Sequence, residues 1–238
     1  VKIFSDKPLN VKETWINSFK LYNQSVKLVL PQAAILGLAS VAISMLNRFT
    51  KLSFTAKEIT TQNVVCSVLS LILFLVTVYF GGVILHRINQ IATDKAQLPV
   101  RESFKLIWQK YPKIFVAASL SLIVYLAGFF LLILPGVCLM VFLVFVQPLI
   151  ILDDQNIIDA FKNSFKIVFK NWWNTFAVII PLILLNFSVT FITQFALSNR
   201  LWWLGIVITG LFTVFYSMLL QSFVLTQFNN LKLLKTKI

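Results

Sequence analysis

Six apolar runs of roughly 20 residues dominate the chain, and none of them contains an Asp, Glu, Lys or Arg. They extend over about Val29–Leu46, Val64–Leu85, Ile114–Leu134, Gly136–Leu152, Thr175–Leu197 and Trp202–Leu225. At 1.5 Å of rise per residue, an α-helix of this length crosses a hydrocarbon core about 30 Å thick. Lipid offers no water to unpaired N–H and C=O groups, so runs this long and this apolar predict helices. The expected fold is an all-α integral membrane protein with six transmembrane helices. Composition agrees: 58% of the 238 residues are hydrophobic, the mean hydropathy is +0.86 and only 12% are charged, against roughly 25% in soluble domains.

The net charge of +13 does not indicate nucleic acid, because the basic residues sit in short segments between spans, where anionic headgroups are the neighbours. If the spans alternate, 17 Lys and Arg fall on one side and only Arg48, Lys51, Lys57 and Arg200 on the other. The positive-inside rule then makes both termini cytoplasmic. Trp202 and Trp203 at one interface and Trp172 and Trp173 at the other match aromatic belts. Val1 to Lys27 lacks the compact apolar region of a cleavable signal. Cys66 and Cys138 lie within spans, which predicts buried thiols and no disulfide or metal framework.

A triplet recurs in the segments on the basic side: Ser18-Phe19-Lys20, Ser103-Phe104-Lys105 and Ser164-Phe165-Lys166. Aligning the serines also aligns Trp15 with Val100 and Phe161, Tyr22 with Ile107 and Val168, and Val26 with Tyr111 and Trp172. Offsets of four, three and four residues form one stripe on a helix, with the lysines pointing away from it. The pattern predicts three pseudo-repeats, about 10–90, 96–154 and 155–230, within one membrane domain. Each would be an amphipathic interfacial helix followed by a two-span hairpin, with its serine at the stripe's edge and its lysine at the headgroups. Lys20, Lys105 and Lys166 are therefore the candidate lipid-headgroup contacts. Gly81-Gly82, Gln147-Pro148 and Gln221-Ser222 occupy corresponding places near the ends of the even-numbered spans, where proline in particular predicts a kink.

Chemistry-bearing residues are sparse. Spans without ionisable groups lack the means for a proton relay or charge-coupled pump. Gln147, Asn186, Thr213 and Gln221 define a possible intramembrane polar path, with hydrogen bonding between helices as the plainer alternative. His86, the only histidine, reads as an interfacial anchor. Asp153, Asp154 and Asp159 read as caps for the helix that follows them, and the lysine-bearing tail from Asn229 as a lipid-facing anchor. No P-loop, dinucleotide fingerprint, HExxH or GxSxG occurs. The expectation is a non-enzyme without cofactor or metal.

The stretch Leu134–Trp173 carries Pro135-Gly136, Pro148, the acidic exit at Asp153, and Ala160 four residues before Ser164. With FGGVILHRINQ at Phe80–Gln90, it resembles the YciC-like family of bacterial inner-membrane proteins, and in pattern the membrane domain attached to some glycerophosphodiester phosphodiesterases. The resemblance implies a six-span protein of the bacterial inner membrane linked to envelope upkeep, with no catalytic residues to carry over. Two functions follow as expectations. One is a non-enzymatic protein that supports membrane homeostasis through anionic lipids or a membrane-protein partner; the other is a transporter or flippase of a neutral or amphiphilic solute.

Overall fold

The computed structural model describes residues 8–54, 61–93, 99–198 and 202–235. Of the cations counted above, Lys2, Lys7, Lys57, Lys95, Arg200 and Lys237 lie outside them. The described residues form eight helices: α1 (Val11–Phe54), α2 (Thr61–Ala92), α3 (Val100–Leu131), α4 (Ile133–Phe142), α5 (Val146–Leu152), α6 (Ile157–Lys170), α7 (Trp172–Ser198) and α8 (Trp202–Lys235). Six spans are long and apolar enough to cross a membrane, α4 and α5 together making the fourth. The protein is thus a multi-pass, all-helical membrane protein.

The first helix starts where its sequence dictates. The Asn10 side chain accepts from the Glu13 N–H at 2.8 Å, and the Glu13 carboxylate accepts from the Asn10 N–H at 3.1 Å, a reciprocal capping box. From there α1 runs for 44 residues, about 66 Å of helix. The corresponding segment of the second unit likewise continues straight into its span as α3. A separate helix precedes the span only in the third unit, where α6 ends at Lys170 and α7 begins at Trp172. Of the three Ser-Phe-Lys segments, only the one on α6 is set off from its span by a break in the helix. Neither Pro31 nor Pro112 interrupts its helix, so α1 and α3 run unbroken from the Ser-Phe-Lys segment into the span.

Helix α1 packs along α2 and α8, α7 along α8, α3 along α2 and the α4–α5 span, and α4 touches α7. The contacts close a ring of six spans. Close approach is set by glycine. A Cβ on Gly37 would lie 2.5 Å from Val214 and 2.9 Å from the Gly210 carbonyl oxygen, which fixes the α1–α8 crossing. Gly128 and Gly136 do the same for α3 and α4, with 2.9 Å between a Cβ at 128 and the Cα of Gly136. Small residues allow such crossings in lipid, where packing replaces the hydrophobic effect as the driving force between helices.

The core is concentrated toward the lysine-rich end. Leu21, Ile84, Ile88, Ile107, Phe145 and Phe223 are fully buried there. Toward the opposite end, large apolar side chains face outward, Phe130 at 94% and Phe191 at 77% exposure.

Candidate functional site

The three Ser-Phe-Lys segments meet the rest of the protein in matching ways. Ser18, Ser103 and Ser164 are each fully buried, while Lys20, Lys105 and Lys166 are exposed. The serine thus lies at the centre of the packed face, not at its edge. Each phenylalanine lies against an aromatic ring on the second span of another hairpin. Phe19 meets Phe223 of α8 at 5.2 Å between centroids, Phe104 meets Phe80 of α2 at 5.8 Å, and Phe165 stacks on Phe142 of α4 at 4.3 Å.

Ser164 has a further task. Pro148 lacks an N–H, and its ring conflicts with the carbonyl four residues earlier, at Val144. The fourth span breaks at Leu143–Phe145, just upstream of the proline. Val146 N–H then reaches back only to the Leu143 carbonyl, at 3.1 Å, which leaves the Phe142 carbonyl and Phe145 N–H without helical partners. The Ser164 hydroxyl donates to the Phe142 carbonyl at 2.7 Å and accepts from the Phe145 N–H at 3.3 Å. One side chain bridges the break, as buried backbone groups require. By contrast α2 passes Gly81-Gly82, and α8 passes Gln221-Ser222, without interruption. Neither pair removes a backbone donor, so neither acts as a disruptor.

Polar side chains lock the same end of the bundle. Arg87, only 3% exposed, donates to Gln90 Oε1 at 2.8 Å, and the Ser103 hydroxyl donates to the same oxygen at 3.2 Å. His86 Nδ1 lies 2.9 Å from that hydroxyl. His86 therefore joins a network between α2 and α3. Burial of Arg87 was not expected of a cation counted among those beside the headgroups.

Asp153 and Asp154 do not cap α6. Its N-cap is Asn156, which makes no side-chain cap bond, and only Asp159 stands in the first turn. Asp153 instead pairs with Lys232 of α8. Asp154, at φ 52°, in the left-handed region that Asp tolerates, pairs with Lys110 of α3 at 3.1 Å. Lys110 also donates to the Ile151 carbonyl at 3.0 Å. The Lys110 hydrogen bond, then its charge, holds the Asp154 carboxyl below the ordinary range. The segment from Asn229 packs too. Asn230 is 1% exposed and accepts from the Leu9 N–H at 2.7 Å while donating to the Leu9 carbonyl at 3.2 Å. The beginning of α1 and the end of α8 therefore share one end of the bundle.

A cavity of about 360 Å³ lies among α2, α3, the α4–α5 break, α7 and α8. Gln147 and Gln221 both line it, with Ser121, Tyr125 and Tyr216, against apolar walls that include Phe74 and Ile179. Asn186 and Thr213 do not line it. The Thr213 hydroxyl donates to the Thr209 carbonyl at 2.8 Å, and Asn186 is half-buried on α7. Two of the four polar-path candidates therefore come together. Among the described residues no cluster of three His, Cys, Asp or Glu side chains is poised for a metal, and Cys66 and Cys138 are free thiols.

No curated protein and no solved structure matches the chain. A family described as "Domain of unknown function (DUF7847)" matches residues 22–230, from just after the first Ser-Phe-Lys triplet to the buried end of α8. The chain belongs to the DUF7847 family.

Proposed function

We propose that this is a non-enzymatic protein of a bacterial inner membrane that supports membrane or envelope homeostasis by holding anionic lipids, and a membrane-protein partner, at its lysine-rich end. The observation that carries the reading is the division of α6 into three faces. Ala160, Ser164 and Val168 are buried; Ile158, Phe165 and Phe169 are 67%, 45% and 68% exposed; Lys162, Lys166 and Lys170 are exposed beside them. At about 100° per residue, the exposed apolar side chains fall within about 40° of one another and the lysines adjoin them. A helix of this kind lies in the interface, with aromatics among acyl chains and lysines at phosphates.

The contacts of Phe19, Phe104 and Phe165 support a cyclic plan of three units, each laying its Ser-Phe-Lys segment on the second span of the unit before it. The lysine excess supports cytoplasmic termini, and the likeness to YciC-like proteins supports the compartment. Each lysine adds about 1 kcal/mol toward an anionic leaflet. Native mass spectrometry from nanodiscs of phosphatidylglycerol and phosphatidylcholine tests the reading. Changing Lys162, Lys166 and Lys170 to Gln should lower phosphatidylglycerol affinity on the order of a hundredfold, and changing Lys20 and Lys105 by less. Unchanged retention with all five replaced would overturn it.

A second reading, transport or flipping of a neutral or amphiphilic solute, is favoured by the cavity that unites Gln147 with Gln221. Flux no greater than that of protein-free liposomes would remove it.

A further inference from the structure

The cavity beside the α4–α5 break carries its two carboxamides near the lysine-rich end. Gln147 and Gln221 lie five and four residues inside the lysine-rich ends of their apolar runs, a depth of about 6–8 Å. Phe74, Leu122 and Ile183 also line the cavity, and by the same measure lie about 12–17 Å deep. The carboxamides thus lie nearest the lysine-rich interface, while the deeper lining is aliphatic and aromatic apart from the hydroxyls of Ser121, Tyr125 and Tyr216.

The carboxamide end has unused capacity. Among the described residues neither the Gln147 nor the Gln221 carboxamide makes a hydrogen bond to protein. Val144 and Pro148, the residues at the break, line the same cavity. Groups left unpaired at this depth are disfavoured. Water alone is a poor filler: a volume of 360 Å³ corresponds to about a dozen waters, each needing two to four polar partners, and the walls are mostly aliphatic and aromatic.

Charge narrows the occupant. Apart from the tyrosines no titratable side chain lines the cavity. Tyr216 is itself engaged, donating to the Leu182 carbonyl at 3.1 Å. A carboxamide presents both a donor and an acceptor, which suits a hydroxyl, ester or amide and offers an anion no cation. We propose that this cavity binds a neutral amphiphile, with its hydroxyl, ester or amide group held by Gln147 and Gln221 and its hydrocarbon chain against Phe74, Leu122 and Ile183. Its volume falls in the range of ligand pockets, about 300–1,000 Å³. The site shares its cavity with the transport reading and requires no translocation.

Photolabelling tests the site. The full chain in phosphatidylglycerol nanodiscs is irradiated with a diazirine-bearing monoacylglycerol, and adducts are mapped by mass spectrometry. Adducts are expected on Met140, Tyr216 or Leu220, competed by monoolein but not by oleate at equal mole fraction. Gln147→Leu with Gln221→Leu should weaken labelling about tenfold, since those changes remove no protein hydrogen bond. Ala118→Phe, which fills the cavity from α3, provides a second route to the same loss. Adducts confined to lipid-facing residues such as Phe130 and Phe191, equal competition by oleate, or full labelling in a folded variant would overturn the assignment. Lysine-to-glutamine changes on α6 should leave labelling intact, which separates this site from the headgroup reading.

Discussion

Replacing Ser164 with alanine leaves two buried backbone groups at the α4–α5 break without a partner. The hydroxyl donates to the Phe142 carbonyl at 2.7 Å and accepts from the Phe145 N–H at 3.3 Å. An orphaned buried group loses about 1–3 kcal/mol, whereas hydrogen bonds within membrane bundles average about 0.6 kcal/mol. Two such groups near the end of a span give about 2 kcal/mol. For a chain of this size that corresponds to a fall in Tm of about 4–8 °C. The other two serines provide graded controls. Ser103 shares its acceptor with Arg87, which still holds Gln90 at 2.8 Å, so Ser103→Ala should lose about 1 kcal/mol or less. Ser18 donates only to the Thr14 carbonyl of its own helix, at 2.7 Å, so Ser18→Ala should change stability by less than about 0.5 kcal/mol. Thermal unfolding in detergent, followed by tryptophan fluorescence, measures all three. Because Pro148 creates the break, Pro148→Ala should also soften the effect of Ser164→Ala, with a coupling of about 1 kcal/mol. Unfolding of Ser164→Ala together with the wild type, or damage from Ser18→Ala equal to that from Ser164→Ala, would refute the bridging role of Ser164.

Four further outcomes follow. Gly37→Ala places a Cβ 2.5 Å from Val214 and 2.9 Å from a backbone oxygen of Gly210 and should destabilise the α1–α8 crossing by about 1–3 kcal/mol. Gly81→Ala meets nothing within 4 Å and should be neutral or stabilising by up to about 1 kcal/mol; both follow from equilibrium unfolding. The Asp154 carboxyl is held below its ordinary value of 3.8 by Lys110, so its contribution is present above the unfolded pKa and disappears as pH falls through the folded one. The gap in Tm between wild type and Asp154→Asn should therefore close on acidification, and a gap that widens would refute the pairing. Asp153→Asn should loosen the end of α8 and speed hydrogen exchange near Lys232, its ion-pair partner.

The spans were legible because lipid permits few structures and long uncharged runs satisfy only one of them. The Ser-Phe-Lys pattern was visible as well, and its serines and lysines do divide between buried and exposed positions. What could not be read was where a helix would bend. Amphipathic periodicity is the same whether a segment lies in the interface or continues straight into the bundle, so α1 and α3 differ from α6 despite matching triplets. The proline at 148 signalled a break, but its partner, Ser164, lies on the next helix. Asp153 and Asp154 precede a helix, as caps do, and only the fold brings Lys232 and Lys110 within reach of them. For the cavity, the types of Gln147 and Gln221 gave the hint, while helix rotation decided that they converge and that Asn186 and Thr213 do not.

A structure determined by electron microscopy in phosphatidylglycerol nanodiscs tests the central claim most directly. The expected result is α6 lying in the bilayer interface, with Phe165 and Phe169 among acyl chains and headgroup density beside Lys162, Lys166 and Lys170. An α6 standing clear of the bilayer, with those phenylalanines in water and no headgroup at the lysines, would contradict it.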